Sequence, residues 1–345
     1  MAIRCPGCSR ARTGGARHPE ARVPGHSRLT RKILSGTAPL RFADGHDCTF
    51  AYALAVATKN EYDWVMGCSG AAFVTRIDTE RWDPIAASPH DPATFARGAR
   101  AVGVRLDPVA PPYDDEMREL VLARVVESID AGTPPLVRGL GGPPEIGLLI
   151  GYDTDGPTFF ARTFFDHGKE PTRVGWEAFV DEDHGTPLFL DPAPAPDRID
   201  ATAAGIDAAL ELGPATDAAL ETWIAALRDD ARWTDAAHAG AAAFGDHAMR
   251  GLLADTRRAA ARFLRRLRTL VANRPGADAL RAAESYGYVA DAAEKAGIGP
   301  FDGAVAMRFL DAGQRRAWAR LLEGALGHER EARDALRAAR ASLSR

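Results

Sequence analysis

The sequence predicts an α+β domain followed by an all-α helical bundle. Between residues about 36 and 198, helix-like segments are mixed with short apolar runs that have the length and composition of strands. After residue 198 the chain is rich in alanine, and its large apolar residues recur at helical spacing. A chain of 345 residues fits about two domains. We therefore divide it into a leader (1–35), an α+β domain (36–198) and a helical domain (199–345).

Helices come first and antiparallel strands later within the predicted α+β domain, which is the order of an α+β fold rather than of a doubly wound sheet. The apolar runs at 146–150 and 158–165 flank a turn, Gly-Tyr-Asp-Thr-Asp-Gly at 151–156, and predict a β-hairpin. The other predicted elements are helices at 49–59 and 115–130 and a short strand at 135–138.

The helical domain begins after a proline-alternating stretch at 191–197, which favours an extended connection. One predicted helix carries Leu220, Trp223 and Leu227 on one face. Further helices are predicted near 252–271, 277–296 and 311–342, which together make a bundle. The leader is rich in arginine, glycine and proline, so we expect it to stay flexible.

The bulk composition excludes several classes of protein. The formal net charge is −4, so it does not favour nucleic acid or an anionic membrane as a partner. The chain has neither a long apolar run nor the apolar segment of a secretory signal, and four cysteines do not make a disulfide framework. These observations predict a reduced, cytoplasmic protein with no membrane partner and no cofactor.

Cys48 is the principal candidate for chemistry. It follows Gly-His-Asp and opens the predicted helix at 49–59. The free backbone N–H groups and the dipole of a helix N-terminus favour a thiolate, and nucleophilic cysteines are commonly placed there. The alternative is that Cys48 is a small buried residue that only fills space, which is the usual role of a free cysteine.

Three short motifs in this order resemble the butirosin-biosynthesis protein H family, whose N-terminal domain is similar to papain-like, C39-type cysteine peptidases. They are His46-Asp47-Cys48 at the helix start, Val-Met-Gly-Cys-Ser-Gly-Ala-Ala-Phe at 65–73, and Gly-Tyr-Asp at 151–153 within the hairpin. The resemblance implies a papain-like fold. It also implies acyl transfer to an amine through a thioester on Cys48, with an acyl carrier protein as a partner in bacterial secondary metabolism.

The chain departs from the C39-like pattern at the partners of the cysteine. The family's histidine position, six residues before the glycine of the turn, holds Glu145, and no glutamine precedes Cys48 to complete an oxyanion hole. Glu145 would act as a base only if burial raised its pKa. The sequence therefore predicts Cys48 and Glu145 as the catalytic residues of an altered hydrolase. The alternative is a non-catalytic module that binds a small molecule or a peptide.

Four further residues are predicted to line the ligand cleft: His46, Ser69, Arg162 and Asp166. Arg162 suits a carboxylate or phosphate if it faces the cleft, and is a solvated charge if it does not. Ser69 lies between small residues that would either bind an anion through backbone N–H groups or simply form a tight turn. His46, His167 and His184 are candidates to replace the missing histidine.

Other polar clusters favour ordinary structural explanations. Cys5 and Cys8 have no second ligand pair at zinc-finger spacing, and the acidic loop at 181–184 is typical of solvated charges, so we predict no metal site. Several arginines crowd one predicted helix, and they either bind an acidic partner or pair with neighbouring helices. They are Arg257, Arg258, Arg262, Arg265, Arg266 and Arg268.

Overall fold

A computed structural model describes residues 30–42, 47–88, 91–140, 145–166, 170–180, 186–271, 274–295 and 304–343. Within these ranges the chain is α+β, with seven strands and ten α-helices. The strands are β1 Arg31–Ile33, β2 Val104–Pro108, β3 Leu136–Arg138, β4 Ile146–Asp153, β5 Thr158–Arg162, β6 Thr172–Gly175 and β7 Pro187–Pro192. The helices are α1 Thr49–Thr58, α2 Tyr62–Ser69, α3 Pro92–Ala101, α4 Asp115–Asp130, α5 Trp176–Val180, α6 Arg198–Arg228, α7 Ala236–Leu270, α8 Arg274–Lys295, α9 Val305–Leu310 and α10 Ala312–Leu343.

All seven strands belong to one antiparallel sheet, in the order β2-β7-β3-β4-β5-β6. Strand β4 is long enough to serve two neighbours on the same edge. Its first residues pair with β3, and its last three, Gly151 to Asp153, pair with β1. The predicted hairpin is confirmed, because β4 and β5 are adjacent antiparallel strands. Asp153 stabilises their turn by accepting hydrogen bonds from the backbone N–H groups of Asp155 and Gly156.

Helices cover both faces of the sheet. Because alternate side chains of a strand point to opposite faces, one strand contributes to the core on each side. Ile146, Leu148 and Ile150 of β4 belong to the core shared with α1 and α2. Leu149 belongs to a separate core on the other face, where α4 and α5 pack. The site candidates at the start of α1 therefore lie on the first of these two faces.

The helical half packs directly against α2. A Cβ atom at Gly67 would lie 2.1 Å from the ring of Phe263 in α7, and a Cβ at Gly205 of α6 would lie 2.5 Å from the carbonyl oxygen of Gly67. Such distances leave no room for a side chain at either glycine. The same core accordingly contains α1, α2 and residues of α6, α7, α8 and α10. A second core lies mainly within the helical half and includes Trp223, Phe309 and Trp318, together with Trp82 and Ala87 from the α+β region.

The long helices predicted after residue 198 are observed as α6, α7, α8 and α10. Asp197, the last residue of the proline-alternating stretch, caps α6 by accepting hydrogen bonds from the N–H groups of Ile199 and Asp200. The predicted helices at 49–59 and 115–130 correspond to α1 and α4. In the part of the chain that the structure covers, no helix is both long and apolar enough to cross a membrane.

Two expectations are wrong in detail. Residues 31–33 lie in the predicted flexible leader but form β1, because the second half of β4 offers unpaired backbone groups at its edge. The strand predicted at 158–165 ends at Arg162. It ends there because Asp166 binds both the N–H and the hydroxyl of Thr163 and closes a turn. Residues 1–29 of the leader, including Cys5 and Cys8, lie outside the described residues.

Candidate functional site

Cys48 occupies the N-cap position of α1, as the sequence predicts, with extended backbone angles (φ −82°, ψ 96°). Its side chain lies close to the N–H of Ala51, in the first turn of the helix, and this contact lowers the pKa of the thiol. The residue is nonetheless almost completely inaccessible, with 1% of its surface exposed. The helix start thus places the thiol in the core rather than at the surface.

A tyrosine and an aspartate from two other helices surround this helix start. The hydroxyl of Tyr62, in α2, accepts a hydrogen bond from the Cys48 N–H at 3.1 Å. The same hydroxyl donates to Oδ2 of Asp255, in α7, at 2.5 Å, and the N–H of Asp47 donates to that oxygen at 3.2 Å. Asp255 is 3% exposed, and its other oxygen, Oδ1, is buried with no hydrogen-bond partner among the described residues.

Glu145 reaches the same site from the start of β4. The hydroxyl of Thr49, the first residue of α1, donates to the Glu145 carboxylate and accepts a hydrogen bond from the N–H of Ile146 at 3.4 Å. Glu145 is close enough to Cys48 to act on its ionisation. The residue at position 145, where the resemblance implies a histidine, is thus a carboxylic acid that influences the thiol.

The electrostatics of the site oppose a thiolate. Burial, together with the nearby carboxylates of Asp255, Glu145 and Asp47, raises the pKa of the Cys48 thiol to about 12. Burial also raises the pKa of Asp255 to about 7 and the pKa values of Asp47 and Glu145 above their ordinary values. The expectation of a thiolate at this helix start is therefore not supported, since burial and nearby negative charge outweigh the helix dipole.

Arg162 and Asp166 form a neighbouring polar cluster at the end of β5. Arg162 Nη1 lies 3.4 Å from Asp166 Oδ2, and both side chains are largely buried. Oδ1 of Asp166 accepts hydrogen bonds from the hydroxyls of Thr163 and Thr172 at 2.8 and 2.9 Å. These contacts make Asp166 an organiser of the turn after β5. A cleft shared by this pair and Cys48 stays a prediction.

Ser69 favours the tight-turn alternative. It is completely buried at the end of α2, where its hydroxyl donates to the carbonyl of Met66 and accepts from the N–H of Ala71. Gly70 follows with a positive φ of 86°, which reverses the chain. The side chain is therefore occupied by its own turn.

The three candidate histidines His46, His167 and His184 lie outside the described residues. The histidines of the described ranges are His238 and His247 in α7 and His328 in α10. His328 bonds to Glu331, and His238 contacts Trp233. Position 145, which the resemblance assigns to a histidine, holds glutamate.

The arginine cluster of α7 is used mainly in packing between helices. Arg257 is fully buried and pairs with Glu329 of α10. Arg258 pairs with Glu294, Arg262 with Asp63 and Arg266 with Glu61. These pairs favour the explanation in which the arginines join α7 to its neighbours.

Sequence reasoning missed Tyr62 and Asp255, the two residues that surround the Cys48 backbone. A signal for Asp255 was present, because an acidic residue interrupts the apolar face of the helix between Leu252 and Ala259. A buried acid on an apolar helix face requires a partner, and Tyr62 supplies it. The identity of that partner was not available from the spacing.

No protein-family model matches this chain, and no match to it is found among curated proteins.

Proposed function

We propose that this protein has a papain-like, C39-like fold in which the cysteine chemistry is lost, and that it binds a small molecule or peptide without forming a covalent intermediate. The observation that carries the proposal is the burial of Cys48 among three carboxyl groups. A cysteine nucleophile needs a base or a cation that favours its thiolate. Here the neighbouring groups do the opposite.

The raised pKa of the Cys48 thiol supports the loss of nucleophilic catalysis. With a thiol pKa of about 12, only about one molecule in 10⁵ carries a thiolate at pH 7, because each pH unit changes the ratio tenfold. Glu145 is a weak base for this thiol, since the pKa of a carboxyl remains far below that of Cys48 even when burial raises it. Attack by Cys48 on an acyl group would therefore start from a thiolate that is rarely present at pH 7.

The papain-like arrangement is supported by position rather than by chemistry. Cys48 caps the first helix of the α+β region, that helix packs on β4, and Glu145, which precedes β4, is close enough to influence the thiol. This is the relation that the resemblance implies between the cysteine and the histidine of C39-like enzymes. A cytoplasmic location and a role in bacterial secondary metabolism belong to the same proposal.

Acyl transfer is the second candidate, and the contact between Cys48 and the Ala51 N–H favours it. The thiol would attack the thioester of a carrier protein, the carrier thiol would leave with a proton, and an amine would then take the acyl group from Cys48. Proton transfer from Cys48 to Glu145 would have to accompany the attack. This proton transfer requires the pKa of the Cys48 thiol to be much closer to 7 than the value of about 12 that burial gives it.

Alkylation by iodoacetamide distinguishes the two functions. The rate at each cysteine is measured between pH 6 and 10 by mass spectrometry of the native protein, with Cys68, a second buried thiol, as the matched control. We expect Cys48 to react as slowly as Cys68 at neutral pH and both to react after unfolding. Rapid modification of Cys48 alone, with an apparent pKa below about 8.5, would establish a nucleophile and overturn the binding proposal.

A further inference from the structure

A pocket of about 390 Å³ lies where the α+β region meets the helical region, and it shares no lining residue with the Cys48 site. It is enclosed by the end of α3, the proline-alternating stretch and the first turns of α6. Its lining residues are Cys68, Arg97, Arg100, Ala101, Pro194, Ala195, Pro196, Asp200, Ala201 and Ala204. Both the volume and the position between two structural units are typical of small-molecule sites.

Two arginines of α3 give the pocket its charge. Nε of Arg97 donates to the Ser69 carbonyl at 2.7 Å, and one of its terminal nitrogens lies 3.3 Å from the Thr94 hydroxyl, so the guanidinium is held in place. Arg100 is exposed at the rim, and no ion pair to it is found in the described part of the chain. Asp200 is the acidic residue of the lining, which leaves an excess of positive charge.

The remaining surface of the pocket is apolar and built from small side chains. Ala101, Ala201 and Ala204 face it from the two helices, and the prolines at 194 and 196 cover them. Cys68 lies at the buried end, where the charge of Arg198 acts on its thiol. An apolar chamber with guanidinium groups at one side fits a molecule that has an apolar body and an anionic end.

We propose that this pocket binds a small organic carboxylate, with the carboxylate near Arg97 and Arg100 and a short apolar chain among the alanines and prolines. The inference rests on the proposed binding function and adds to it a location and a ligand class. Arg97 is a binding residue positioned by the Ser69 carbonyl. This gives the turn at Ser69 a role in the site, although its hydroxyl does not contact the pocket ligand.

Calorimetric titration of the full chain tests the proposal with hexanoate, with hexanamide as the neutral equivalent and with inorganic phosphate. We expect hexanoate to bind and hexanamide and phosphate to bind at least about tenfold more weakly, because only hexanoate has both the charge and the apolar body. Tighter binding of phosphate than of hexanoate would overturn the carboxylate assignment. Equal binding of hexanoate and hexanamide would overturn the role of the arginines, and no binding of hexanoate would overturn the site.

Three variants locate the binding. Arg100→Gln should weaken hexanoate binding about tenfold, and Ala204→Leu, which fills the pocket while favouring helix, should abolish it. Arg337→Gln is the matched control, since Arg337 is an exposed arginine of α10 that pairs with Asp334 of the same helix, and neither residue lines the pocket. Unchanged binding in both Arg100→Gln and Ala204→Leu would overturn the proposal, provided that their circular dichroism matches the wild type.

The outcome is separable from that of the proposed function. A reactive Cys48 would remove the non-catalytic proposal but leave a carboxylate pocket in place, whereas loss of hexanoate binding with an unreactive Cys48 would remove only the pocket.

Discussion

Residue-scale chemistry at Cys48 is decided by burial. The helix N-terminus and the Ala51 N–H favour a thiolate, but removal of the thiol from water and three nearby carboxyl groups raise its pKa to about 12. The sequence correctly predicted a helix start at Cys48 and a neighbouring Glu145. It left burial open as the alternative to a reactive thiol, because the burial comes from α2 and from α7, which is about 200 residues further along the chain.

Stability should depend on pH through Asp255. Its pKa is raised from 3.8 to about 7 in the folded protein, so the folded state holds a proton that the unfolded state releases. The stabilisation is complete below about pH 4 and is lost as the pH rises to about 7. We expect urea denaturation of the wild type to give a free energy of unfolding that falls over this range, and we expect the fall to be reduced in Asp255→Asn.

Tyr62→Phe should destabilise the protein by about 1–3 kcal/mol, and more at pH 8 than at pH 5. The reason is that the Tyr62 hydroxyl donates to Asp255, and an ionised Asp255 needs that donor most. Tyr113→Phe is the matched control, since the Tyr113 hydroxyl donates to the Val109 carbonyl, which does not titrate. If Tyr62→Phe lowers the free energy of unfolding by the same amount at pH 5 and pH 8, as we expect for Tyr113→Phe, the raised pKa of Asp255 would be contradicted.

At the scale of helices, a buried arginine joins α7 to the segment after α2 and to α10. Arg257 donates to the Ala72 carbonyl at 3.0 Å and to the Thr75 hydroxyl at 2.6 Å, and it pairs with Glu329. From the sequence, Arg257 was one of a row of six arginines that favoured either an acidic partner or pairing between helices. Its burial shows pairing at this position, because both members of the pair are excluded from water.

Glu329→Leu should destabilise the protein by about 3–5 kcal/mol, because it leaves Arg257 buried without its counter-charge. Adding Arg257→Met should destabilise less than the sum of the two single changes, by a coupling of about 1–3 kcal/mol. The free energies come from urea titrations. The control is Arg258→Met, which breaks a half-exposed pair with Glu294 and should change stability by at most about 1 kcal/mol. Additivity at Arg257 and Glu329 would contradict the pairing.

At the scale of the whole molecule, the α+β and helical regions share a core. Phe50 and Leu148 belong to the same cluster of buried residues as Phe263, Tyr286 and Leu336. The boundary predicted at 198 coincides with the start of α6, but the close packing of Gly67 against Phe263 crosses it. The change to an alanine-rich composition after residue 198 therefore marks where the chain becomes entirely helical. It does not show how much surface the two regions bury against each other.

Unfolding should be cooperative across this boundary. Because one core contains both regions, we expect far-ultraviolet circular dichroism, which reports mainly on the long helices, and tryptophan fluorescence to give the same urea midpoint. Trp176 of α5 reports on the far face of the sheet, and Trp223 and Trp318 report on the helical core. Single-tryptophan variants that unfold at two separate midpoints would show two independent units instead.

The sequence by itself determined the secondary structure that short-range patterns encode. Apolar spacing predicted α1, α4 and the long helices, and the turn at 151–156 predicted the hairpin, whereas β2, β6 and β7 were not predicted. Tertiary structure alone decided the state of Cys48 and the lining of the pocket beside α3. Both depend on residues that meet only when α6 and α7 pack on the α+β region, and burial, which sets the pKa of the thiol, is a property of that packing.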